Sequence, residues 1–204
     1  MDSLFVSMAT FALAGSISPG PVNIIAATSG ARHGLNRAFI YVAGAAISYA
    51  IVVFISGLML DVLLNALPQL AYYVRVAGSG FLLYMAYNLV SSSAQSVEAH
   101  SAQPFSPGFI NGVLTQWLNP KAWLYASSGV SLFTAHSSSP SWHLAIFVGI
   151  SLVVCFIGVG SWACFGKAIA HWLNSPVRQR MFNCSMGVLL AVTVAGMWWE
   201  SPII

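Results

Sequence analysis

A run of apolar residues from Leu4 to about Ser29 is interrupted in its middle by Gly15-Ser16-Ile17-Ser18-Pro19-Gly20-Pro21-Val22-Asn23. Two prolines and two glycines at that point are not helix filler. Each proline lacks a backbone N–H and clashes with the preceding turn, and glycine weakens a helix further. In water such a stretch ends a helix. In a bilayer, broken backbone survives only where protein buries it or where it lines a wet cavity.

Whether a bilayer is the right solvent is decided by composition. Of the 204 residues, 58% are hydrophobic and only 5% are charged. Soluble domains carry about a quarter charged residues, so the chain reads as an all-α polytopic membrane protein. Its formal net charge of +3 rests on too few groups to suggest nucleic acid. Ala12-Leu13-Ala14 looks like a signal-peptide cleavage site. No basic residue precedes it and the apolar run continues past it, so the segment is expected to be a true first span.

Six segments reach the ~20 mostly apolar residues a spanning helix needs. They run from about Leu4 to Ser29, Ala38 to Leu60, Tyr72 to Val90, Gly108 to Thr134, Leu144 to Phe165, and Met181 to Trp199. The fourth is interrupted at Asn119-Pro120-Lys121. The connections are short except from Ser91 to Ser106, a polar loop that divides one transmembrane domain into halves at about 1–91 and 107–204. Connections after the first, third and fifth spans carry Arg32, Arg37, Lys167, Arg178 and Arg180. The opposite side has Arg75 with Asp2, Asp61 and Glu200. The positive-inside rule makes the basic side cytoplasmic and puts both termini outside.

The first and fourth spans each open a half, each runs in the opposite sense, and each has a proline break near mid-depth. Matching interruptions in two inverted three-helix repeats point to a secondary transporter with its site between them. Lys121 is the one ionisable residue at mid-depth in any span. A charge there costs at least ~2.5–3.5 kcal/mol, which marks a functional position, unless the lysine snorkels to an interface. Gln116, Asn119 and Pro120 lie beside it; the two amides would satisfy freed backbone groups or contact a substrate. Asn23 opens the half-helix after Pro19-Gly20-Pro21, whose free N–H groups and dipole suit a carboxylate. Ser16, Ser18 and Asn23 have a plainer role as helix caps, and the two roles are compatible. Arg75 reads either as a gate or as a snorkelling side chain, and Asp61 either as a proton-transfer group or as an inert cap.

Gly34 fits a tight turn, and Gly44, Ser48, Gly78, Gly80, Gly158 and Gly160 offer small faces for close helix packing. Cys155, Cys164 and Cys184 form no CxxC and read as small hydrophobes. The histidines show no ligand spacing, so neither a metal nor a cofactor is implied. A membrane thiol-redox protein is the alternative reading, but it needs paired cysteines near the breaks, and none is there. Spans two, five and six are too apolar for a channel's wet path. An intramembrane protease lacks its His or Asp pair.

Gly15-(x)3-Pro19-Gly20-Pro21-Val22-Asn23, then Gly30-(x)3-Gly34 and Gly44, resembles the LysE/RhtB family of bacterial amino-acid exporters. Gly108-Phe109-(x)2-Gly112-(x)6-Asn119-Pro120-Lys121-Ala122 matches that family's second hallmark, and Gly78-(x)4-Leu83-Tyr84 its third-span pattern. The resemblance covers nearly the whole chain. It implies a six-span protein of the bacterial inner membrane that is not an enzyme and exports small, mostly neutral amino acids such as cysteine, O-acetylserine, threonine or homoserine. Alternating access and coupling to protons come with it. The implied partners are the amino acid, protons and lipid, with a homo-oligomer left open. Many members of the family carry an acid inside span five, whereas here the stretch reads Ser151-Leu152-Val153-Val154-Cys155-Phe156-Ile157-Gly158. That departure is closer to the cysteine/O-acetylserine subgroup and leaves proton coupling without a membrane-embedded carboxylate.

Overall fold

In a computed structural model, residues 2–91, 107–134 and 139–199 are described, and among them the chain is entirely helical. The helices are α1 (Asp2–Ile17), α2 (Pro21–His33), α3 (Leu35–Leu58), α4 (Leu60–Ser91), α5 (Phe109–Trp117), α6 (Pro120–Thr134), α7 (Pro140–Ile169) and α8 (Pro176–Trp199). The polar loop at 92–106 lies outside the described residues. Among the described residues, two helices, α3 and α7, are long and apolar enough by length and composition to cross a membrane, and the pair α1–α2 makes a third if it counts as one span.

Both proline breaks form where the sequence places them. Between α1 and α2 the axis bends by 65°. Gly20 is fully extended (φ −171°, ψ 175°) and Pro21 takes the first helical position, where its missing N–H costs nothing. The whole stretch from Pro21 to Gly30 is then buried, as broken backbone in lipid requires. Pro120 likewise opens α6, after α5 ends at Trp117.

The third segment differs from its predicted bounds. Hydropathy falls at Asp61, Asn65 and Pro68-Gln69, which suggested a connection before Tyr72, yet α4 runs unbroken from Leu60 through Pro68. Helical hydrogen bonding does not depend on apolar side chains, and neighbouring packing lets a proline stand inside a helix of this kind. The last helix also starts earlier than Met181, at Pro176, again with proline in the first turn.

Close approach of backbones organises the core. A Cβ at Gly30 would strike the carbonyl of Ala163, and one at Gly166 would strike the carbonyl of Ala27, so α2 and α7 lock reciprocally. In the same way Gly44 faces the carbonyl of Phe109 and Gly112 that of Tyr41, which locks α3 to α5. Gly78 meets the Leu118 carbonyl and Gly158 meets Ser16, whereas Gly80 has open space around it. Between these locks lies an apolar core that includes Met8, Tyr41, Val52, Val130, Phe147 and Leu190. Gly34, alone between α2 and α3, has φ +80° and makes the expected tight turn.

Candidate functional site

At the first break, α1 ends with carbonyls that have no partner further along the helix. Asn23 supplies one from the far side of the break. Its Nδ2 donates to the main-chain oxygens of Ser16 (3.0 Å) and Ser18 (2.8 Å). The amide therefore caps the helix before it, while no side chain caps the start of α2.

The second break is capped in the opposite sense. Asn119 Oδ1 accepts from the backbone N–H of Lys121 (3.1 Å), capping the start of α6, and Asn119 Nδ2 donates to Gln116 Oε1 (3.4 Å). Gln116 Nε2 in turn donates to Cys155 Sγ on α7 at 3.7 Å.

Lys121 joins the two breaks. Its ammonium donates to Ser18 Oγ at 2.6 Å and lies 3.3 Å from the Ser18 main-chain oxygen. The cation also stands 5.6 Å from the ring centroid of Tyr125, one turn along α6. Of the two readings of Lys121, this geometry is that of a lysine turned toward the break. Helix C-termini carry partial negative charge, so the end of α1 is a favourable seat for a cation.

Around this contact is a cavity lined by Gly15, Ser16, Ser18, Gly20, Val22, Asn23, Tyr49, Gln116, Asn119, Lys121, Ala122, Tyr125, Cys155 and Val159. Its volume is about 40 Å³. At ~10–15 Å³ per water this holds about three waters, so an amino acid would enter only if the walls parted. Lys121 is the one cation in the lining, and no carboxylate lines it.

Of the residues singled out from sequence, Gly15, Ser16, Ser18, Gly20, Asn23, Gln116, Asn119 and Lys121 meet at this cavity. Pro19, Pro21 and Pro120 shape the breaks but are not in its lining. Asp61 and Arg75 belong to α4, and their side chains lie outside the described residues. Four lining residues carry no sequence signal for the site: Tyr49, Tyr125, Cys155 and Val159. Cys155 is 2% exposed and occupies the stretch of α7 where an acid was noted to be missing. It is part of the apolar core, as a small hydrophobe would be, and its sulfur also accepts from Gln116.

The family model for the LysE type translocator matches residues 13–196, which takes in both breaks and every cavity residue. The chain belongs to that family. It is accordingly a membrane transport protein of the amino-acid efflux kind. Among its relatives are the cysteine/O-acetylserine efflux proteins of Escherichia coli strain K12, 26% identical, and of Salmonella typhimurium strain LT2, 24% identical. Each alignment spans 89% of this chain and 90% of the relative. No solved structure matches the chain.

Proposed function

We propose that the protein exports small neutral amino acids, with cysteine and O-acetylserine foremost, by alternating access coupled to protons. It does so from the bacterial inner membrane, as six crossings arranged in two inverted halves with both termini periplasmic. The observation that carries this reading is the meeting of the two broken helices at one cavity through Lys121 and Ser18. The helix packing supports two related halves. If α1–α4 are exchanged with α5–α8, the pairs α2·α7 and α3·α6 exchange, as do α3·α5 and α1·α7. So do α2·α3 and α6·α7, α2·α8 and α4·α6, and α1·α6 and α2·α5, while α3·α7 and α4·α8 map onto themselves.

Substrate chemistry follows from the lining. The uncapped start of α2 offers backbone N–H groups to a carboxylate, and the end of α1 offers oxygen acceptors to an ammonium. A zwitterion carries both. With no acid in the lining, a second positive charge on the substrate would have no counter-charge, which disfavours basic amino acids. Gln116 and Asn119 present amides to a polar side chain.

The test is an efflux panel in cells stripped of their own exporters, comparing resistance to toxic levels or analogues of each small amino acid and release of labelled substrate. Resistance to cysteine or O-acetylserine, absent with Lys121→Ala and Asn23→Ala, is expected. Resistance to none of the panel would overturn the exporter reading. Wild-type efflux from both variants would overturn this site.

A further inference from the structure

The two acceptors that Lys121 holds are the same oxygens that a bound amino acid needs for its own ammonium. Ser18 Oγ and the Ser18 carbonyl are at the C-terminal end of α1, where a cation is favoured. Gly20 and the open start of α2 follow directly; a Cβ at Gly20 would lie 3.7 Å from Lys121 Nζ. A substrate whose carboxylate rests on the start of α2 therefore has its ammonium directed toward the position Lys121 fills. Two ammonium groups cannot both take these oxygens, and the lining supplies no carboxylate to hold the second.

We infer that Lys121 is the residue that couples export to protons, its ammonium standing in for the substrate's ammonium on Ser18 whenever the carrier is empty. This rests on the export reading above. Facing the cytoplasm, Lys121 Nζ gives one proton to water and leaves Ser18 as a neutral amine. The amino-acid ammonium takes the vacated oxygens and its carboxylate takes the N–H groups of α2. Facing outward, the zwitterion departs, Nζ takes one proton from water, and the ammonium returns to Ser18. One amino acid leaves and one proton enters per cycle, and the only bond made or broken is N–H. The other titratable groups in the lining are Tyr49 on α3, Tyr125 on α6 itself, and Cys155 on α7; α1 and α2 contribute none, and α4 contributes no lining residue.

The purified protein in proteoliposomes, with reduced radiolabelled L-cysteine as probe, separates this from a fixed-charge role. Wild-type protein is expected to show both pH-driven transport and exchange of cysteine across the membrane. Lys121→Gln should retain exchange, which needs no return of the empty carrier, and lose pH-driven transport to background. Lys121→Arg, whose guanidinium keeps its proton, should lose both by blocking Ser18. The reverse result, exchange lost in the Gln variant and kept in the Arg variant, would make Lys121 a permanent carboxylate ligand and overturn the inference. A measurement on wild type alone guards against a misfolded variant. Substrate and proton compete, so cysteine affinity should weaken by up to about tenfold per unit as pH falls from 7.5 to 5.5. Affinity that is flat over that range would overturn the inference as well. If the wild type neither exchanges cysteine nor transports it with a pH gradient, the cysteine-export reading itself fails, and this inference with it.

Discussion

Lys121 reaches across 103 residues of chain to Ser18, with Nζ 2.6 Å from Oγ and 3.3 Å from the main-chain oxygen. The two bonds respond differently to mutation. Ser18→Ala deletes the shorter and leaves the carbonyl. Hydrogen bonds to charged groups are worth about 1.5–3 kcal/mol, and the partial burial of this one places it toward the lower end. The variant should fold with reduced thermal stability in detergent and keep measurable export. Stability equal to wild type would show that the carbonyl alone seats the ammonium.

Asn23 is the more demanding position, because its one amide nitrogen serves the oxygens of both Ser16 and Ser18. At 4% exposure it has little water to take over. Asn23→Ala strands the Ser16 carbonyl, at about 1–3 kcal/mol for a group left unsatisfied, and leaves the Ser18 carbonyl to Lys121 alone. Asn23→Asp should be worse at neutral pH, since it points a carboxylate where two carbonyls expect a donor. Thermal unfolding of the three proteins should rank wild type, Ala, then Asp. If Asp equalled wild type, the amide would not be acting as the donor.

The sequence reading located both breaks and Lys121 because each is an anomaly against an apolar background. Prolines, glycines and a charge at mid-depth are visible without coordinates. Tyr49, Tyr125 and Cys155 are ordinary residues in ordinary helices, and only the packing of α3, α6 and α7 around the breaks brings them to the cavity. The direction of the two amides was also hidden. Asn23 caps backward and Asn119 caps forward, a choice set by the three-dimensional path of each break, as in the 65° bend after α1. Hydropathy does not locate the start of α4 because it measures side chains, whereas the helix continues through Asp61 and past Pro68, which lacks the N–H for one backbone bond.

Gly30 and Gly34 lie four residues apart and resist substitution for different reasons. At Gly30 the backbone is helical and the obstacle is the carbonyl of Ala163. Overpacking costs about 1–3 kcal/mol or more, and a backbone obstacle cannot rotate away. Gly34 has open space but φ +80° with ψ 171°, a region other residues enter only at about 1–3 kcal/mol. Gly30→Ala should pry α2 from α7 and abolish a monodisperse product in size-exclusion chromatography. Gly34→Ala should yield folded protein of lower stability. Gly149→Ala, with nothing within 4 Å, is the neutral control. Equal behaviour of Gly30→Ala and Gly149→Ala would refute the close α2–α7 contact.

Cys155 separates transport through the cavity from thiol chemistry. It is buried, free, and the one cysteine in the lining, with Cys164 exposed and Cys184 partly exposed. Redox cycling needs a second thiol or a partner disulfide, whereas a wall residue needs only the right size. Replacing all three cysteines by Ala should therefore leave export close to wild type, with a modest stability loss from the Gln116 Nε2 donor that the sulfur accepts at 3.7 Å. Cys155→Leu should do the opposite. The larger side chain projects into a cavity of about 40 Å³ and takes up the room an amino acid must gain, so export should fall sharply in protein that still purifies as a folded species. Labelled-cysteine efflux from cells expressing each variant decides the matter. Loss of export in the Cys-free protein would return the thiol-redox reading, and full export with Leu at this position would show that substrate passes elsewhere.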